Sequence, residues 1–133
     1  MSLLRSSCSA CFLLLLLTQP RAEFVLPPGV VCPEPDAASY DPNCSFVYHD
    51  RAERELALVY ERLLATLSKQ DAAALRASQR AWFAFRKADV ALVVGHYGEG
   101  GSLGRSIAAD HSARHTRARV RELAQRLSGS DKW

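Results

Sequence analysis

The chain has 133 residues, which accommodates one domain and no more. Its longest strongly apolar stretch falls well short of the roughly 20 residues that a membrane-spanning helix needs. A formal net charge of +3 hides a strong asymmetry along the chain.

The N-terminus reads as a secretory signal over residues 1–22. Arg5 supplies a positive start, and Ala10, Cys11, Phe12 and the five leucines at 13–17 supply the apolar core. Thr18, Gln19 and Pro20 end it, and cleavage is placed loosely between Gln19 and Ala22. Cys8 and Cys11 lie before the leucine run rather than after it, an arrangement that does not suit a lipoprotein. Their removal leaves Cys32 and Cys44, and an oxidising compartment then allows one disulfide, with a pair of buried thiols as the alternative. Closing so short a loop is worth about 3 kcal/mol in the chain-entropy account. That is a large share of the roughly 5–10 kcal/mol expected for a small domain.

Removing the signal also takes Arg5 and Arg21, leaving 15 basic against 14 acidic residues. Residues 23–50 hold five acids (Glu23, Glu34, Asp36, Asp41 and Asp50) and no Lys or Arg. The remainder holds 15 basic and nine acidic residues, so an acidic arm precedes a basic body. Residues 23–43, with Pro27, Pro28, Gly29 and Pro42, are expected to form an extended arm without regular structure.

No proline follows Pro42, and Ala, Leu, Arg and Glu then dominate, which favours helix. The first helix is predicted from about residue 44 or 45 to 68. Ala52, Leu56, Val59, Leu63 and Leu67 form its inward stripe, widened by Tyr60 and Leu64. Asp71 is the expected N-cap of a second helix running to about residue 94, with Leu75, Trp82, Phe85 and Val93 facing inward. Residues 95–102 contain four glycines and should break it. A third helix from residue 102 or 103 to 127 turns Ile107, Val120, Leu123 and Leu127 inward. The expected fold class is all-α: a three-helix antiparallel bundle over residues 44–133, with an irregular N-terminal arm held by one disulfide.

Gln79, Trp82, Arg86 and Val90 line one face of the second helix. A partly buried guanidinium there requires carboxylate or carbonyl partners, and Glu53, Glu55 and Glu61 are the nearest candidates. Three blocks then resemble the lysozyme inhibitor LprI N-terminal domain family. The first runs from Ala52 through Glu55 and Leu56 to Tyr60. The second runs from Ser78 through Gln79 and Trp82 to Arg86. The third joins Gly100, Gly101 and Ser102 to Thr116, Arg119 and Leu123. Ala57 stands where that family usually has Asn. Val90 and His111 stand where it usually has two cysteines tying the second helix to the third. The paired replacement fits a lost disulfide, with packing left to compensate.

The resemblance implies a secreted or periplasmic binding protein that inhibits a lysozyme by steric occlusion of its cleft, without a cofactor and without being an enzyme. Lysozymes cleave with a protonated Glu and an ionised Asp. His96, Tyr97, Glu99 and Ser102 in the glycine-rich loop carry groups suited to meet such carboxyls. The alternative for that loop is simple chain reversal, the commoner role of glycine-rich connections. The acidic arm would steer association with a basic enzyme. The expected partner is a protein, a lysozyme on the resemblance, with no nucleic acid and no stable membrane insertion after signal cleavage. The alternative function is a non-inhibitory envelope interaction or scaffold module.

His111 and His115 have the spacing of two ligands for one metal, and His96 or Asp89 could add a third. Solvated histidines are the commoner outcome, and no metal is expected. Trp82 is expected to be a core anchor, and Arg119 to turn inward to a carboxylate.

Overall fold

Three helices account for the body of the protein in a computed structural model: α1 (Ser45–Thr66), α2 (Lys69–Tyr97) and α3 (Ser102–Ser128). The structure describes residues 26, 28–34, 41–97 and 101–129. The expected signal segment and Glu99 lie outside them, and no strand occurs among them.

Each helix carries an inward stripe with alternating steps of three and four residues. In α3 the stripe is Ser106, Ala109, Ala113, Thr116, Val120 and Leu123, all buried. Those toward its N-terminal half are small, so α1 and α3 approach closely, and α1 packs far more extensively on α3 than α2 does. Tyr48 of α1 packs against Ala113, and Glu53 meets Thr116, so α1 and α3 run in the same direction. α2 runs antiparallel to both, as Arg86 to Thr116 and Gln79 to Arg119 show. The bundle is therefore up, down, up.

The apolar core sits toward the α1–α2 turn. Leu56, Leu63, Leu75, Val120 and Leu123 are buried there, with Val59, Tyr60, Leu64, Leu67, Trp82 and Leu127 packed around them. A second cluster joins Cys44, Tyr48 and Ala113 to Val30 and Cys32 of the arm. The Cys32–Cys44 disulfide is present, with Cα atoms 5.5 Å apart. It holds the arm against α1, where Glu34 also pairs with Arg51 at 2.6 Å.

The helices differ from expectation in several ways, and α1 ends at Thr66, two residues early. Asp71 is not the N-cap of α2, which starts two residues earlier. Ser68 caps the turn: its hydroxyl accepts the Asp71 N–H at 3.1 Å and donates to the Asp71 carboxylate at 2.6 Å. α2 also runs past residue 94 to Tyr97, taking Gly95 into the helix. Val93 and Tyr97 line a cleft with Ile107 of α3, and the helix continues through Gly95 despite the roughly 1 kcal/mol that a helical glycine costs. Phe85, expected to face inward, is 56% exposed. It lies outside the stripe formed by Ala72, Leu75, Gln79, Trp82 and Arg86. At the far end, α3 stops at Gly129, whose φ of 71° needs no Cβ and lets its N–H reach the Arg126 carbonyl.

Replacing Cys44 by Ser should lower unfolding free energy by about 3 kcal/mol in urea titrations, and reducing agent should reproduce the loss in the native chain only.

Candidate functional site

The stripe of α2 changes character along its length. It begins apolar with Ala72 and Leu75 and becomes polar at Gln79, Arg86 and Asp89, so the middle of the bundle is a seam of charged and hydrogen-bonding side chains. At its centre one Arg86 amino group donates to Glu53 of α1 and to Thr116 of α3. The Thr116 hydroxyl thereby accepts from Arg86. Its single proton is shared between Glu53 Oε1 at 3.1 Å and the Ser112 carbonyl at 2.8 Å. Glu53 and Arg86 are 12% and 15% exposed, and this low exposure makes the pair matter energetically. The guanidinium also lies 4.8 Å from the Trp82 ring centre and 5.0 Å from that of Phe83. Of the three acids expected to serve Arg86, Glu53 does so, while Glu55 and Glu61 are exposed.

One turn toward the core, Arg119 is buried and turns inward as expected. Its Nε donates to Gln79 at 3.1 Å, and its two amino groups to Ser78 at 2.9 Å and Glu122 at 2.7 Å. Arg126 donates to the other Glu122 oxygen at 2.8 Å. Partial burial penalises the Glu122 carboxylate, but the hydrogen bonds and charges of Arg119 and Arg126 outweigh it and hold the carboxyl below its ordinary 4.5.

Toward the α2–α3 turn, Asp89 Oδ2 meets His111 Nε2 at 2.8 Å and His115 Nε2 at 2.7 Å. Hydrogen bonds from these two histidines hold the Asp89 carboxyl below its ordinary value. The two histidines are thus brought together with Asp89 rather than left as isolated surface groups. His96 stands apart, in ring contact with Tyr97 at 5.4 Å. The cluster occupies the place where packing alone was expected to replace a cysteine pair: His111 is one of those positions, and Asp89 adjoins Val90, the other.

The expected binding residues lie at one end of the molecule. His96 and Tyr97 form the last turn of α2 and Ser102 the first residue of α3; all three are exposed. Tyr97 is 58% exposed and Leu103, across the turn, 56%, so this end presents uncovered apolar surface. The remaining signature residues range from core to surface. Leu56 and Gln79 are buried, Tyr60 and Trp82 are half-buried against the core, and Glu55 faces solvent.

One feature escaped the sequence. Because α2 stands off from α1, a groove of about 480 Å³ opens between them, lined by Leu56, Ala57, Tyr60, Gln79, Arg80 and Phe83 among others. Its signal was the small Ala57 beside a stripe whose partners are long polar side chains.

Fold and seam together define a small, disulfide-bonded, all-α domain whose helices are joined through a buried Glu–Arg–Thr link. The family description "lysozyme inhibitor LprI" matches residues 32–123, and the chain belongs to that family. No curated protein and no solved structure matches it.

Arg86→Ala should lower stability by about 3 kcal/mol, because Glu53 is left buried without its cation. Glu53→Gln with Arg86→Met should cost clearly less than Arg86→Ala alone in the same thermal unfolding series. The Glu122 carboxylate stabilises the fold while ionised. Its contribution is complete above the unfolded value near 4.5 and fades as pH falls through the lower folded value. Melting temperature should therefore drop on acidification below about pH 4.5, and Glu122→Gln should make that drop shallower.

Proposed function

We propose that this protein is an exported, non-enzymatic inhibitor that binds a lysozyme and occludes its cleft. The observation that carries this reading is the family match over residues 32–123. The disulfide favours an extracellular or periplasmic location, as does the signal-like N-terminus. No helix among the described residues is long and apolar enough to cross a membrane.

The insertion element in this reading is the α2–α3 end, where His96 and Tyr97 are exposed on the last turn of α2 and Ser102 on the first of α3. Imidazole, phenol and hydroxyl groups suit hydrogen bonding to the two catalytic carboxyls of a lysozyme. Tyr97 and Leu103 add apolar contact of the kind that anchors interfaces. Glu99 belongs to the same turn in the sequence and completes the proposed element. The acidic arm contributes attraction toward a basic enzyme, reduced where Glu34 is already paired with Arg51.

The groove between α1 and α2 favours a second reading, a non-inhibitory envelope interaction module that holds a partner segment along the helices. Apolar walls from Leu56, Tyr60 and Phe83, with Glu61, Arg76 and Arg80 also lining the groove, suit an amphipathic peptide or helix carrying charges of both signs.

The deciding experiment is clearing of a peptidoglycan suspension by several lysozyme types, with and without purified, oxidised mature protein. Saturable inhibition of at least one type is expected. Tyr97→Ala should weaken it at least tenfold while circular dichroism stays unchanged. Failure to inhibit any type, with helicity intact, would reject the inhibitor reading and leave the interaction module.

A further inference from the structure

We infer that Asp89, His111 and His115 form a binding site for a divalent first-row transition-metal ion, with Zn²⁺ as the natural choice of probe. The three donor atoms come from two helices and all lie within 4.8 Å of one another. His111 and His115 are one helical turn apart on α3, and both aim Nε2 at the same oxygen of Asp89 on α2. No Lys or Arg pairs with Asp89 among the described residues, so no resident cation competes for its charge.

The donors can reach an ion's coordination distances by side-chain movement, without a change of helix packing. Zinc bonds of about 2.0–2.1 Å in tetrahedral array place donors about 3.3 Å apart. Starting from 2.7 and 2.8 Å, the carboxylate has to draw back by roughly 0.5 Å, and donors up to 4.8 Å apart have to close by roughly 1.5 Å, which side-chain rotation can supply. The ring directions are already held. His111 and His115 stand edge to face at 4.9 Å, and Phe85 packs edge-on to His115 at 5.6 Å. This contact gives the outward-facing Phe85 a role that the core does not.

Side-chain exposures of 24–32% leave the site open to solvent, so an ion can enter and water can complete its coordination. Two imidazoles and one carboxylate form a borderline donor set. Such sets prefer Zn²⁺, Co²⁺, Ni²⁺ or Cu²⁺ to Mg²⁺ or Ca²⁺, which favour all-oxygen cages. The bound ion would fasten α2 to α3 along the stretch where α2 packs less extensively than α1 does.

The test uses the oxidised mature chain without a histidine tag, stripped with chelator. Zn²⁺ is titrated in competition with a chromophoric chelator, and Co²⁺ is followed by its visible absorption. One ion per chain is expected, with an apparent Kd in the micromolar range, and at least tenfold weaker binding in His111→Ala and in His115→Ala. Saturating Zn²⁺ should raise Tm by about 4 °C or more in the native chain and leave the His111→Ala/His115→Ala double variant unmoved. Asp89→Asn, which preserves shape, should alter the Co²⁺ spectrum even if a histidine variant loses helicity, and His49→Ala should leave binding as it was. No binding up to about 1 mM Zn²⁺, or stoichiometric binding that survives in the double variant, would overturn the proposal.

Discussion

The bundle depends on one buried ion pair with a shared hydroxyl. Arg86, Glu53 and Thr116 each hydrogen-bond to both of the other helices, so the three side chains close a triangle across the bundle. An apolar residue at position 86 would let α2 collapse onto α1. A guanidinium instead holds the helices at the length of its own side chain and demands a carboxylate in a fixed place. The aromatic faces of Trp82 and Phe83 flank that charge, so its burial is compensated by rings as well as by oxygens. Such links are weak sources of net stability but strict about register, since a helix slipped by one turn would leave a charge unmatched.

That constraint explains the distribution of surface. Around Leu63, Leu75, Val120 and Leu123 the seam is apolar and buried, with Leu56 both in this core and on the wall of the groove. Where it is polar, α2 rides on long side chains, the groove opens toward α1, and the stretch from Phe83 to Tyr97 keeps much of its apolar surface in solvent. The candidate recognition surfaces are therefore by-products of the polar seam rather than separate additions to the fold.

Much of this was legible in the sequence. The alternating three- and four-residue spacing of Leu56, Val59 and Leu63, the lack of proline after residue 42 and the cysteine pair led to three helices and one disulfide. The need of Arg86 for a carboxylate pointed to the acids of α1, and Glu53 was among them. Other features were hidden for physical reasons. Ser68 and Asp71 are both good caps, and only the chain path selects Ser68. Gly95 reads as a breaker because propensity is local, whereas the cleft shared by Val93, Tyr97 and Ile107 is tertiary. Phe85 reads as core because it is large, yet the inward stripe passes through Trp82 and Arg86 instead. The close α1–α3 contact was the hardest to foresee. It is made by Ala109, Ala113 and Thr116, small residues that carry little hydrophobic signal.

The parallel course of α1 and α3 has a kinetic consequence. In a bundle held by sequence neighbours, each helical hairpin can form alone, and contact order is low. Here the most intimate contact joins segments separated by the whole of α2; Glu53 and Thr116 are 63 residues apart. Closing such a loop costs on the order of 4 kcal/mol of chain entropy before the contact returns anything. The first and last helices must therefore search for each other across an α2 that offers comparatively little guidance. Folding should be slower than an all-helical composition suggests, because the encounter of α1 with α3 carries that loop cost.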